Sequence, residues 1–159
     1  MQSNPFLRYG LAAGLLTFAS VATASDAMSS ATETVSYDSD KTLVLDFHEA
    51  AFACLDLREA HKYLSASFIQ HDPAVEDGVA GFAKFHASLR SAYPRYSSEV
   101  RRAISSGGLV TIHVLQRLNP WERGDVQVHM YRVVGGKIAE HWVAGNPIPA
   151  TSLNANGLI

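Results

Sequence analysis

Seven histidines are spread along a chain of 159 residues, and the spacing of several places them on shared faces. Over Asp125 to Val134 (DVQVHMYRVV) the side chains alternate, so Gln127, His129 and Tyr131 project to one side and Val128 and Met130 to the other. Pairing that run through the Gly135-Gly136 hairpin with the GKIAEHW run brings His141 and Val143 to the side of His129. Thr111 and His113 lie together opposite Val110, Ile112 and Val114, and their facing is open. An imidazole in half-apolar surroundings gives or takes a proton near neutral pH, and a carboxylate beside it fixes its tautomer and raises its basicity. Asp72 with His48, His129 and His141 is such a set if one cavity gathers them. The chemistry would be proton transfer that makes or captures an enolate, with a cationic or neutral histidine as oxyanion donor. His71 neighbours Asp72 on a strand and points the opposite way, unless the twist before Pro73 turns it to the cavity mouth.

Other chemistries lack their residues. No H-x-x-x-H or C-x-x-C spacing occurs, so neither a metal nor any other cofactor is expected. Gly135-Gly136 joins two strands and opens no helix, which makes it a hairpin and not a phosphate loop. The serines and threonines offer no nucleophile elbow. Cys54 is the only cysteine, so no intrachain disulfide forms; helical spacing makes it a small buried hydrophobe. Thirteen basic against 15 acidic residues give a formal charge of −2, with the basic residues scattered apart from Arg101-Arg102. That is no nucleic-acid surface.

The elements that must position the histidines can be read from periodicity. Leu43, Val44, Phe47, Ala50, Ala51 and Cys54 recur at three and four, which predicts a helix over Lys41–Leu55 with Asp40 as N-cap. Asp56 caps a second short helix over Leu57–Leu64, and Ser67–Asp72 reads as a short extended run ended by Pro73. Val79, Phe82, Phe85 and Leu89 predict a third amphipathic helix reaching Tyr93-Pro94. The period then changes to two, near Ser97–Ser105, Leu109–Leu118, Asp125–Val134 and Lys137–Ala144. Three helices on one face of an antiparallel meander is an α+β plan.

The first residues read as a targeting signal. Arg8 is the positive region, Tyr9 to Val21 is apolar and too short to span a bilayer, and Ala22-Thr23-Ala24 is a cleavage site. Residues 1–24 are therefore expected to be a signal peptide cut after Ala24, and residues 25–40 a flexible leader before a single domain over 41–159. A periplasmic or secreted protein is the expectation, with no membrane contact after cleavage.

The phrases YLSASFIQHDPAVEDGVAGFAKF, GGLVTIHVL, VHMYRVVGGKIAEHW and SLNANGLI, in that order, resemble the SnoaL-like polyketide cyclase family of the nuclear transport factor 2-like superfamily. The resemblance implies a cone-shaped fold, three N-terminal helices packed on a curved antiparallel sheet around a pocket for a small apolar molecule. It also implies pairing into a homodimer through the convex sheet face, where Trp142 would lie. The ketosteroid isomerases of that superfamily carry their base as an Asp before a Pro on the first strand, which corresponds here to Asp72, and their first-helix hydroxyl donor corresponds to His48. The usual VDxFR and EHWD phrases read VHMYR and EHWV here, so His129 and Val143 replace two aspartates.

The expectation is cofactor-free acid–base catalysis on a small apolar carbonyl compound, as an isomerase, lyase or aldol-type cyclase. Asp72, His129, His48 and His141 are the catalytic candidates; His71, His113, Tyr131, Trp142 and Gln127 are the substrate-binding ones. The alternative, favoured by the replaced aspartates, is a non-catalytic periplasmic carrier of a small hydrophobic ligand.

Overall fold

The computed structural model describes residues 39–159; the expected signal peptide and leader residues 25–38 lie outside the described residues. Residues 39–48 are helical (α1), so Asp40 lies within the helix instead of capping it. Val44, Phe47 and Ala51 form its inward stripe, each no more than 1% exposed. The helix then widens into a π turn, Glu49–Ala53, with the Cys54 and Asp56 N–H groups donating to the Glu49 and Ala50 carbonyls at 2.8 Å. A π turn inserts one residue and rotates every later side chain about the helix axis. Leu55 therefore takes the buried position, and Cys54, expected in the core, is exposed with its thiol 3.5 Å from Glu49 Oε1.

Leu55 has φ 53°, a left-handed conformation that reverses the chain. Asp56 then caps α2 (Leu57–Ala60), accepting from the Arg58 and Glu59 N–H groups as expected, and a 3-10 turn over His61–Tyr63 leads into β1 (Leu64–Gln70). Asp77 caps α3 (Gly78–Ala92). The remaining strands are β2 (Ser97–Ser106), β3 (Leu109–Arg117), β4 (Asp125–Val134) and β5 (Lys137–Pro147). Both residues of the β4–β5 turn, Gly135 and Gly136, have positive φ, the geometry that matches the twist of a two-residue hairpin.

The sheet is mixed, in the order β1-β5-β4-β3-β2. This corrects the purely antiparallel expectation: β1 joins as a fifth strand, parallel to β5, with Gln70 opposite His141. The parallel pairing is possible because α3 carries the chain back before the meander begins, as a parallel pair requires. Register shifts between Val100 and Arg102 and between Arg132 and Val133 mark irregularities that bend strands, and the sheet curves over the helices. The core is the concave side, where Val110, Ile112, Val114, Tyr131 and Ile138, all 0% exposed, meet Val44, Phe47 and Phe82. No helix among the described residues is long and apolar enough to cross a membrane.

Candidate functional site

The π turn, the end of β1, α3 and the concave faces of β3, β4 and β5 enclose a cavity of about 300 Å³. One half is apolar, walled by Phe52, Val75, Phe82, Phe85, Leu89 and Leu118. The other half carries Gln70, Asp72, Gln116, Gln127, His129 and His141, while Tyr93, Tyr96, Asp125 and Val143 complete the lining. No lysine or arginine contributes to it.

Alternation along β4 and β5 produces the polar half as expected. Tyr131 pairs directly across the strands with His141, and their rings stack with centroids 4.7 Å apart. His129 stacks on the same two rings, at 5.2 Å from His141 and 6.2 Å from Tyr131. His129 Nδ1 lies 2.9 Å from His141 Nε2, and its Nε2 lies 2.9 Å from Gln127 Oε1. The Tyr131 hydroxyl is 3.4 Å from His129 Nδ1.

Burial decides the charge of this cluster. It holds the His141 imidazole down at about 3, helped by the charges that His48 and His71 would carry. It also pushes His129 well below the usual imidazole range, with His141 and His48 adding to the effect. The Tyr131 phenol is pushed up by burial and keeps its proton. The rings are therefore neutral near pH 7, each with one donor and one acceptor nitrogen. Burial thus disfavours a cationic oxyanion stabiliser, one of the two forms expected from sequence, at these two rings.

Asp72 sits where β1 ends, half-buried at the cavity wall. Its N–H donates to Gln70 Oε1 (3.0 Å), and its Oδ1 accepts from the Ala74 N–H (2.8 Å) in a local turn. One carboxylate oxygen thus fixes the group while the other has no protein hydrogen bond among the described residues. His48 lies behind the wall and does not line the cavity: its ring is 5.1 Å from Phe52 and 5.8 Å from His129, and Nε2 is 2.8 Å from Ser98 Oγ. Burial lowers its imidazole to about 4, and its Nδ1 is buried with no hydrogen-bond partner among the described residues.

Three further candidates lie on the outer face of the sheet. His71 stacks on Trp142 at 4.4 Å on the outer face and contacts Glu140 Oε2 at 3.0 Å. Glu140 also accepts from Arg132 Nε at 2.7 Å, and the two hydrogen bonds, that of His71 first, hold its carboxyl below the usual range. Trp142 alternates with His141 and so faces outward, as expected, with the Arg132 guanidinium over its ring. His113 is likewise on the outer face, its Nδ1 accepting from Arg102 Nη1 at 3.0 Å. The reason is alternation: Ile112 and Val114 occupy the core side of β3. Tyr131 is fully buried beneath the cluster and supports it without lining the cavity.

Sequence reasoning missed Gln70, Gln116, Tyr96 and the α3 residues as cavity wall, and it missed His86. Gln70 and Gln116 share strand faces with Asp72 and Val114, which was the available signal. His86, 2% exposed, donates from Nε2 to the Ala51 carbonyl at 2.8 Å, and Arg90 donates to the Leu55 carbonyl at 3.0 Å. Both serve carbonyls around the π turn and so hold Phe52 at the cavity. Among the described residues no group of three or more metal-ligating side chains is arranged to hold a metal ion.

The geometry has counterparts of known fold. A nuclear transport factor 2-like protein of unknown function from Cytophaga hutchinsonii superposes with a TM-score of 0.58 at 18% identity, covering 68% of this chain and 90% of its own. A proposed polyketide cyclase from Bacillus cereus gives 0.60 at 16% identity, covering 68% and 74%. AclR, a proposed hydroxylase from Streptomyces galilaeus, gives 0.58 at 21% identity, covering 70% and 81%. These likenesses establish the fold, a nuclear transport factor 2-like α+β architecture. No curated protein matches the chain significantly. The SnoaL-like domain matches residues 44–141, most of the described chain, and the protein belongs to that family.

Proposed function

We propose that the chain binds a small, largely apolar carbonyl compound and moves a proton on it without a cofactor, as an isomerase, lyase or cyclase. The observation that carries this reading is the joining of Asp72 and a neutral imidazole pair to an aromatic half-cavity. The apolar half desolvates the substrate skeleton, and Asp72 acts as base through the oxygen its turn leaves unused. The uncharged imidazoles add a hydrogen-bonding wall that holds the substrate in register with Asp72. Membership of the SnoaL-like family and the likeness to the proposed polyketide cyclase from Bacillus cereus support a binding or cyclase-type role.

The test is deuterium exchange into the α-positions of a panel of small apolar ketones, followed by NMR. Wild-type protein accelerates exchange for at least one member, and Asp72→Asn lowers that rate by about 100- to 10,000-fold with an unchanged circular dichroism spectrum. An unchanged rate in the variant removes Asp72 from the role. A non-catalytic carrier is the second reading, favoured because both His129 nitrogens are satisfied inside the protein. Saturable ligand binding with no exchange anywhere in the panel would select it.

We also propose export through residues 1–24 and a homodimer joined by the outer sheet face. Trp142 and Met130 are part-exposed on that face, beside Val128 at 43%. N-terminal sequencing starting at Ser25 and a dimeric mass by light scattering are the expected results.

A further inference from the structure

The hydrogen-bond chain in the cavity wall has a direction. A neutral His129 with Gln127 Oε1 at its Nε2 carries its proton on Nε2, because the amide oxygen only accepts. Its Nδ1 is then a lone pair and receives the His141 Nε2–H at 2.9 Å. The protonated phenol of Tyr131, 3.4 Å away, is a second donor to the same atom. With His141 protonated on Nε2, its Nδ1 is a lone pair too. That nitrogen makes no protein hydrogen bond among the described residues, it is not among the sealed and unpartnered buried atoms, and its ring borders the cavity. Gly145 is what lets Gln127 sit there: a Cβ on Gly145 would lie 2.7 Å from Gln127 Cγ.

We infer that Gln127 is a positioning residue which acts through His129 to make His141 Nδ1 a fixed hydrogen-bond acceptor. The cavity thereby selects neutral ligands bearing a hydroxyl or N–H donor against that nitrogen. This rests on the small-molecule reading above and narrows its substrate class. A ligand offering only a carbonyl oxygen would meet lone pair against lone pair at this point, so the carbonyl compound proposed above must carry a hydroxyl or N–H donor as well. A carboxylate or phosphate ligand is disfavoured as well, because Asp72 and Asp125 line the cavity and no lysine or arginine does. The amide of Gln127 sets the polarity: turned over, it would donate to His129, and His141 would present N–H to the cavity instead.

Long-range proton–nitrogen correlation spectra of the 15N-labelled exported chain near neutral pH read the tautomers directly and need no substrate. The expected result is pyrrole-like Nε2 and pyridine-like Nδ1 for both His129 and His141. In Gln127→Leu the His129 nitrogens lose that separation and move toward averaged values. Gln127→Glu, which keeps an accepting oxygen, retains the wild-type pattern. A pyrrole-like Nδ1 on His141 in wild-type protein overturns the inference, and so does a Gln127→Leu spectrum identical to wild type. If Gln127→Leu fails to fold, the wild-type and Gln127→Glu spectra still decide.

Titration with phenol and with anisole tests the ligand class. Phenol is expected to bind at least about tenfold tighter and to shift the His141 Nδ1 resonance. Equal affinities, or no binding of either, count against it. Correct tautomers without ketone exchange would remove the catalytic reading alone. Exchange with reversed tautomers would remove this inference alone.

Discussion

At the level of single side chains, the buried imidazoles divide by what their nitrogens touch. His86 serves only the backbone, and burial lowers its imidazole while its Nε2 proton goes to the Ala51 carbonyl. Replacing it with leucine leaves that carbonyl without its donor, so His86→Leu should lower the unfolding free energy by about 1–3 kcal/mol. Urea denaturation measures this, and a loss under about 0.5 kcal/mol would mean the bond carries nothing. His129 and His141 instead bond to each other and to a glutamine, which makes their orientation a property of the group. Their common face was readable from alternation alone, as was the outward turn of Trp142. Their neutrality was not, because it comes from burial that no sequence period reports. Gln70 and Gln116 went unmarked for a related reason: glutamine is an ordinary surface residue until a curved sheet wraps over it.

The elements divide in the same way. The meander was readable nearly to the residue, since glycine pairs with positive φ punctuate β2–β3 and β4–β5. The π turn was not. Its signature is a shift by one residue in which Leu55 replaces Cys54 inside, and three-four spacing alone cannot separate the two. The parallel placement of β1 was hidden as well, because its partner comes last in the chain. On β5 the position opposite Gln127 is Gly145, and a Cβ there would also lie 2.7 Å from the Val126 carbonyl oxygen. One contact is with backbone, so the strand cannot yield cheaply. Gly145→Ala should cost about 1–3 kcal/mol by overpacking and should displace Gln127 from His129. A thermal unfolding curve checks the first effect, and the His129 nitrogen resonances check the second. A variant as stable as wild type with unmoved resonances would show that the strands part without penalty.

Over the whole molecule, four histidines whose imidazoles burial lowers, His48, His86, His129 and His141, couple stability to acidity. The unfolded chain takes up a proton at each near pH 6.5, whereas folded His48 waits until about 4 and His141 until about 3. His129 is displaced in the same direction. The unfolded state therefore binds more protons through this window, and stability is full above about pH 6.5 and falls as the pH drops toward 4. At about pH 5 the loss is on the order of 2 kcal/mol for His48 and again for His141, not strictly additive because the rings interact. Urea midpoints that stay level between about pH 7 and pH 5 would contradict it. The overall α+β class was legible, since helical periods precede strand periods along the chain. The closing of the sheet by its first strand was not, and that closure has a consequence in time. β1 has no sheet partner until β5 exists, so Asp72, just beyond Gln70, comes to line one cavity with His141 only when the last strand docks. Such distant pairing slows folding, because a long loop must close before any contact rewards it. A nascent chain would keep its first strand undocked until nearly all of it had been made, which agrees with the export proposed above.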